Sequence, residues 1–167
     1  LKKNTNVYFR IFGQKKSIQT EISKNIIEKQ YYEIIDCDDI INNNDTPLAA
    51  AKKKKTSMWK AINDVKEKKS NVIISAGNTG ALFVISKLSI NMIENISKPA
   101  LAALWPNKID MNIVLDLGAN VECDDKNFED FALMGAALHK ALFPNDESKV
   151  ALLNIGSEEI KGHETIK

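Results

Sequence analysis

Short apolar runs that end in polar, glycine-rich turns and then pass into helical patterns constrain this chain more than any other feature. The clearest case is NVIISAGNTGALFVISKL, residues 71–88. Residues 72–74 predict a buried strand, residues 75–80 a turn, and the next apolar run a helix with Asn78 or Thr79 as N-cap. Such a junction directs backbone N–H groups and the positive end of a helix dipole toward one point, an arrangement that binds phosphate or a developing oxyanion.

The same order recurs in NIVLDLGANVE, residues 112–122, and in part in VALLNIGSEEIKG, residues 150–162. In the first turn Gly77 and Gly80 flank two polar residues, which favours close approach of the backbone to a ligand over a simple tight connection. The turn has neither the Gly-Lys-Ser/Thr ending of a P-loop nor the dinucleotide fingerprint, so a nucleotide is not the first choice of anion.

Strands alternate with helices along the whole chain. Strands are predicted over residues 7–12, 32–35, 72–74, 113–115 and 150–155. Helices are predicted over about 16–29 and 57–69 and over 128–143, and a further helix follows the turn at residues 75–80. The stretch from 36 to 47 and the stretch through Pro99 and Pro106 are predicted as loops. Uniformly apolar strands separated by helices indicate a mostly parallel sheet covered on both faces, within one α/β domain over residues 1–167. Ligands bind beyond the carboxyl ends of such strands, so the three turns are predicted to share one anion-binding edge.

Composition excludes several functions. The 167 residues carry a net charge of +1, which gives no case for nucleic acid, and Arg10 is the only arginine. Cys37 and Cys123 are too few and too far apart to form a metal site, and reduced thiols in a cytoplasm are the default. No apolar run approaches the roughly 20 residues that span a bilayer.

The polar residues at the strand ends have two interpretations each. Asp116 either has a functional role, in which it accepts hydrogen bonds that fix the neighbouring loop or acts in chemistry, or it simply caps the following turn. Asn120 is a candidate amide donor to an oxyanion. Lys161, before a glycine near the end of the last predicted strand, is either a surface lysine or a group that holds negative charge. The run Lys52-Lys53-Lys54-Lys55 is either a solvated stretch or an electrostatic patch for an acidic protein or anionic lipid.

Five segments carry a resemblance to a known family: SAGNTGAL, PALAALWP, LDLGANVEC, FALMGAAL and LLNIGSEEIKGHE. In this order and with these gaps, the chain resembles the bacterial phosphate acyltransferases of phospholipid synthesis, the PlsX family. The likeness covers residues 7–167 and is most specific from residue 71 onward. Family members run to about twice this length, and the segments resembling VDAMGGD and Asp-Gly-Phe-Thr-Gly-Asn are expected but absent. We therefore expect a partial domain that lacks an N-terminal strand segment and a C-terminal half.

The resemblance implies a three-layer α/β/α fold like those of isocitrate dehydrogenase and phosphotransacetylase. It implies transfer of a long-chain acyl group from acyl carrier protein to inorganic phosphate, giving acyl phosphate for a downstream membrane acyltransferase. It also implies a cytoplasmic homodimer with peripheral membrane contact and no nicotinamide, metal or covalent cofactor. A phosphotransacylase that uses acyl-CoA and a non-catalytic module that binds phosphate or a phosphorylated metabolite remain as alternatives.

Mapped onto this sequence, the resemblance assigns site residues in all three turns. It gives the phosphate or acyl-phosphate cradle to Ser75, Gly77, Asn78, Thr79, Gly80, Gly118, Asn154 and Gly156. It gives catalytic roles to Lys161, Asn120 and Asp116, with Lys161 matching a family lysine taken as catalytic. The lysine run stands where the family usually has an arginine-containing stretch, so its role stays open.

Overall fold

Two parallel strands with helices around them form the first part of the chain. A computed structural model describes residues 7–25, 27–154 and 156, and the chain divides into two compact units, residues 1–91 and 92–167. The first unit contains β1 (Phe9–Gly13), α1 (Lys15–Asn25), a 3-10 turn (Lys29–Tyr31), β2 (Tyr32–Asp36), α2 (Pro47–Lys52), α3 (Ser57–Lys66) and α4 (Thr79–Ser89). The second contains β3 (Ala103–Pro106), β4 (Met111–Val114) and α5 (Asp125–Leu142).

The pair β1–β2 confirms two predicted strands and their parallel direction. Phe9 pairs with Tyr32 and Gly13 with Asp36 in one unbroken register. Parallel neighbours require a crossover connection, and α1 lies within it. The structure is therefore α/β with a small parallel sheet, whereas α1 ends at Asn25, before the predicted end at residue 29.

Three helices build the core of the first unit. Ala50 of α2, Ile62 of α3, and Ala81 and Ile85 of α4 are fully buried together. The indole N–H of Trp59 donates to the carbonyl of Ala51 at 3.1 Å and so joins α3 to α2. Burial of these apolar side chains supplies the main stabilising term for the three helices.

Helix α2 lies where the sequence analysis predicted the end of a loop. Thr46 is its N-cap and accepts the N–H of Ala49 at 3.3 Å, Pro47 occupies the first turn, and alanines follow. This order of N-cap, proline and alanine is a helix-start signal that was available in the sequence. The loop prediction was wrong at residue 47 because the polar stretch before it was extended too far.

The predicted strands at residues 72–74 and 150–155 are wrong within the described residues. Neither segment forms a ladder, and Val72 and Ile74 are 69% and 83% exposed, while Ile73 packs against the core. Val150, Leu152 and Leu153 are also exposed, and Ile155 lies outside the described residues. An apolar run becomes a strand only when a neighbouring strand pairs with its backbone, and no described strand does so here.

The second unit contains a hairpin rather than parallel strands. Strand β3 pairs antiparallel with β4, from Ala103–Val114 to Pro106–Met111. The strand predicted at residues 113–115 therefore exists with shifted bounds, and the loop predicted through Pro99 and Pro106 is wrong only at residues 103–106. Pro106 is tolerated because β3 is an edge strand of a two-stranded sheet in the described part of the chain.

Helix α5 begins three residues earlier than predicted. Asp124 accepts the N–H of Asn127 at 2.8 Å, and the Asn127 side chain accepts the N–H of Asp124 at 3.2 Å. This reciprocal capping box satisfies two backbone groups that the helix start leaves without partners. It explains why the helix starts at Asp125, ahead of the apolar periodicity.

A buried carboxylate joins the sheet of the first unit to α3. The Asp64 side chain is 6% exposed and accepts hydrogen bonds from Arg10 Nε at 2.7 Å, Arg10 Nη2 at 3.0 Å and Ser70 Oγ at 2.6 Å. Arg10 also pairs with Glu33 of β2. Burial raises the pKa of Asp64, but the bonds from Ser70 and Arg10 and the Arg10 charge outweigh it, so this pKa lies below its usual value.

We predict that Asp64→Ala lowers the melting temperature by about 5 °C or more at pH 7, because it leaves the half-buried Arg10 guanidinium without its bidentate partner and empties a buried position. The pKa of Asp64 is lower in the folded than in the unfolded state. Its stabilisation is therefore present above about pH 4 and is lost as pH falls through the native pKa. Calorimetry in steps from pH 7 to pH 3 measures both effects.

Glu21→Ala is the matched control, since it breaks only the exposed pair with Lys24 and should change the melting temperature by about 1 °C or less. Equal losses in the two variants would contradict a structural role for the Arg10–Asp64 pair.

Candidate active site

The first glycine turn is organised by one side chain. Asn78 Oδ1 accepts the N–H of Ala81 at 2.9 Å, which confirms Asn78 as the N-cap of α4. Its Nδ2 donates to the carbonyls of Asn42 at 3.4 Å, Asn43 at 3.2 Å and Asp45 at 2.9 Å. The side chain thus fixes the start of α4 and the 42–45 loop at once, so its polar atoms are engaged within the fold.

Backbone N–H groups are what the first turn offers to an anion. Thr79 and Gly80 are the first two residues of α4, and a helix leaves such N–H groups without an intrahelical acceptor at its positive end. Ser75 lies just before them, where its Oγ accepts the N–H of Gly77 at 3.2 Å. The turn therefore presents backbone donors of the kind that phosphate oxygens accept, and phosphate binding there stays a prediction.

Gly80 also has a packing role that the sequence analysis did not detect. A Cβ at this position would lie 2.8 Å from Pro47 Cγ of α2, closer than real contacts allow. A Cβ at Gly77 would lie 3.5 Å from Met58 Cε, an ordinary contact. The absent side chain at Gly80 therefore permits α4 to pack against α2.

We predict that Gly80→Ala lowers the melting temperature by a few degrees, although alanine is favoured over glycine in helices by about 1 kcal/mol. The reason is the contact with Pro47, whose rigid ring cannot move aside without shifting α2. Thermal unfolding of Gly80→Ala, of Gly77→Ala as control, and of the double variant with Pro47→Ala measures the effect.

The control should unfold within about 1 °C of the parent. The double variant should be more stable than the sum of its single changes. Additive effects of Gly80→Ala and Pro47→Ala would contradict a steric cause.

The second turn is organised by Asp116. Its Oδ1 accepts the N–H of Leu101 at 2.8 Å, and its Oδ2 accepts the N–H of Asn120 at 2.8 Å and Asn120 Nδ2 at 3.0 Å. Asn120 Nδ2 also donates to the carbonyl of Pro99 at 2.8 Å. The Asp116 carboxylate therefore fixes the neighbouring loop, and a role for it in chemistry stays a prediction.

Gly118 completes this turn with a φ of +79°, a left-handed conformation that favours glycine. Burial raises the pKa of Asp116, but bonds from the N–H groups of Leu101 and Asn120, from the Asn120 amide and from the N–H of Ala119 outweigh it, so this pKa lies below its usual value. Asp116 is consequently a carboxylate at neutral pH and suits an accepting or orienting role better than that of a general acid.

The third turn is only partly described. Asn154 and Gly156 lie in irregular backbone, and Lys161 lies outside the described residues. The first turn belongs to the first unit and the other two to the second. The predicted assembly of all three turns into one anion-binding edge stays a prediction, as do the individual roles of their residues.

The lysine run lines a depression of about 520 Å³, together with Asp39, Ile40 and Thr56. Lys53 Nζ pairs with Asp45 Oδ2 at 2.6 Å, and this bond holds the pKa of Asp45 below its usual value. The carbonyl of Asp45 also accepts a hydrogen bond from Asn78 Nδ2. Asp45 therefore joins the lysine run to the first glycine turn.

Among the helices of the described residues, none combines the length and the apolar character that crossing a membrane requires. Among the His, Cys, Asp and Glu side chains of the same residues, no group of three or more is arranged to hold a metal ion.

The sequence places the chain in a known family. A family model described as "Fatty acid synthesis protein" matches residues 1–167. The relatives include a protein named phosphate acyltransferase from Pelagibacter ubique, which is 61% identical over 99% of this chain and 50% of its own length. Proteins of the same name from Neorickettsia sennetsu and Caulobacter vibrioides are 42% and 41% identical, over 98% and 96% of this chain and 48% and 45% of their own lengths.

The chain therefore belongs to the fatty acid synthesis protein family, in which these relatives are phosphate acyltransferases. This confirms the resemblance to the PlsX family on which the site residues were assigned. The chain spans about half the length of the curated relatives it matches.

Proposed function

We propose that the full-length protein transfers a long-chain fatty acyl group from acyl carrier protein to inorganic phosphate, giving acyl phosphate for phospholipid synthesis. The observation that carries the proposal is the family match over residues 1–167, with relatives named phosphate acyltransferase at up to 61% identity. For the complete protein we propose the three-layer α/β/α fold of the isocitrate dehydrogenase and phosphotransacetylase type. The parallel pair β1–β2 is compatible with that fold.

The proposed chemistry is direct phosphorolysis of a thioester. An oxygen of hydrogen phosphate attacks the thioester carbonyl, the new C–O bond forms, and the C–S bond breaks. The phosphate proton passes to the leaving thiolate. Cys37 is a poor candidate for an acyl-enzyme nucleophile, because the residue is 1% exposed and its thiol donates to the carbonyl of Ile35 at 3.3 Å.

The turns have different parts in this mechanism. Phosphate is held by the N–H groups of Thr79 and Gly80 at the positive end of α4, which Asn78 orients through its cap. Asp116 and Asn120 give the second turn its shape, and Lys161 offsets the phosphate charge. Fixed donors of this kind lower the barrier by positioning the reactants and stabilising developing charge.

The proposed partners follow from family membership. They are acyl carrier protein as donor, inorganic phosphate as acceptor, a membrane acyltransferase that consumes the product, and a second copy of the chain in a homodimer. We propose a cytoplasmic location with peripheral membrane contact.

Two alternatives are distinguished by one assay of the full-length protein. Acyl carrier protein thioester and acyl-CoA are each offered with phosphate, and acyl phosphate is trapped as a hydroxamate. The proposal expects acyl phosphate from the carrier-protein thioester at a much higher kcat/KM. Faster reaction with acyl-CoA would favour the phosphotransacylase, and phosphate binding by calorimetry without product would favour a binding module.

We predict that Lys161→Ala in the full-length protein lowers acyl-phosphate formation by about 100-fold or more, on the scale of removing one electrostatic donor from a transition state. Steady-state kinetics with varied phosphate measure the change. Lys149→Ala, at an exposed lysine just before the third turn, is the control and should keep the parental rate. A Lys161→Ala rate within a few-fold of the parent would contradict a catalytic role.

A further inference from the structure

Ser97 attaches the segment 97–101 to the long helix α5. Its N–H and its hydroxyl both donate to Asp130 Oδ2 at 2.9 Å, and Asn127 Nδ2 donates to the Ser97 hydroxyl oxygen at 2.9 Å. Asp130 is 0% exposed and Asn127 2% exposed. A buried pair on a regular helix thus holds the first residue of an irregular segment.

Asp130 is kept in its charged form. The N–H of Ser97 is the largest cause that lowers the pKa of Asp130, and Lys126 Nζ, 3.0 Å from Oδ1, lowers it further. A charged acceptor makes stronger hydrogen bonds than a neutral one. Ser97 is therefore held strongly by α5, through bonds that involve no residue of the second turn.

The other end of the same segment holds the second turn. Leu101 donates its N–H to Asp116 at 2.8 Å and accepts the N–H of Leu117 at 3.1 Å. The carbonyl of Pro99 accepts Asn120 Nδ2 at 2.8 Å. The contacts to α5 and the contacts to the second turn lie within the five residues 97–101, one of which is a proline with a fixed φ.

We propose that Ser97 and Asp130 are positioning residues, which set the geometry of the Asp116–Asn120 turn by anchoring segment 97–101 to α5. This inference rests on the proposed function, because it assumes that the turn takes part in acyl-phosphate formation. Removing the anchor lets the segment shift, and with it the groups that contact Asp116 and Asn120. Since a misplacement of about 1 Å in an active site can cost about 100-fold in rate, a partial loss of the anchor has a measurable effect.

The test compares Ser97→Ala, Ser97→Thr, Asn120→Ala and the double variant Ser97→Ala/Asn120→Ala in the full-length protein. Ser97→Ala removes the hydroxyl that contacts Asp130 and Asn127, and Ser97→Thr restores it. Glu129→Gln is the matched control, since it changes an exposed charge next to Asp130 without touching Ser97. Steady-state kinetics, melting temperature and amide hydrogen exchange are measured for each.

We expect Ser97→Ala to lower kcat about 10-fold with little change in KM, and Ser97→Thr and Glu129→Gln to keep parental values. The double variant should have a kcat less than twofold below that of Asn120→Ala alone, because both changes act through the same turn. Amide exchange at Leu101 and Asn120 should become about 10-fold faster in Ser97→Ala and stay unchanged in Glu129→Gln. A residue that only stabilises the fold would lower the melting temperature without this non-additivity in kcat.

Several results would overturn the inference. They are a Ser97→Ala kcat within twofold of the parent, independent multiplication of the two kcat effects, or unchanged exchange at Leu101 and Asn120. An Asn120→Ala enzyme with full activity would remove the second turn from the mechanism and the positioning role with it. Absence of acyl phosphate from the unmodified protein would instead refute the proposed function, and the exchange data would then decide the anchoring alone.

If Ser97→Ala does not fold, amide exchange in the unmodified protein replaces it. Ser97, Leu101 and Asn120 should then open with one common free energy. Separate opening of Ser97 would overturn the proposal.

Discussion

The bonds of Asn78 are the constraint on which the first glycine turn depends. Backbone polar groups outside helices and strands need hydrogen-bond partners, and a side-chain amide can satisfy a donor and several acceptors at once. Asn78 caps α4 and holds three carbonyls of the 42–45 loop, which lies more than 30 residues earlier in the chain. This one side chain therefore ties the start of the helix to the 42–45 loop.

Asp116 and Asp130 apply the same physics in the second unit. Each is a carboxylate whose pKa is lowered, and each accepts backbone N–H groups from the irregular segment 97–101. Because such acceptors are charged, they define the path of a chain segment that has no strand ladder or helix of its own. The polar residues that look catalytic in the sequence are thus also the ones that give the turns their shape.

The side-chain amides of the first two turns are already hydrogen-bonded within the protein. The side chains of Asn78 and Asn120 are engaged with protein carbonyls, so the groups left for an anion in the first turn are the N–H groups at the start of α4. Backbone N–H groups carry no charge to titrate, which suits the phosphate binding that we propose for this turn. The charge compensation then falls to a lysine, the role that the proposed mechanism gives to Lys161.

Local patterns in the sequence determined the family, the positions of β1 and β2, most of α3 and α5, and the start of α4 to within one residue, because these depend on residues within a few positions of one another. Only the tertiary structure decided that residues 72–74 form no ladder, that β3 and β4 pair antiparallel, and that Gly80 faces Pro47. It alone paired Asp116 with Leu101, 15 residues away. A run of residues encodes its own backbone preference, but which distant group satisfies its hydrogen bonds depends on how the chain closes on itself, and no local pattern records that.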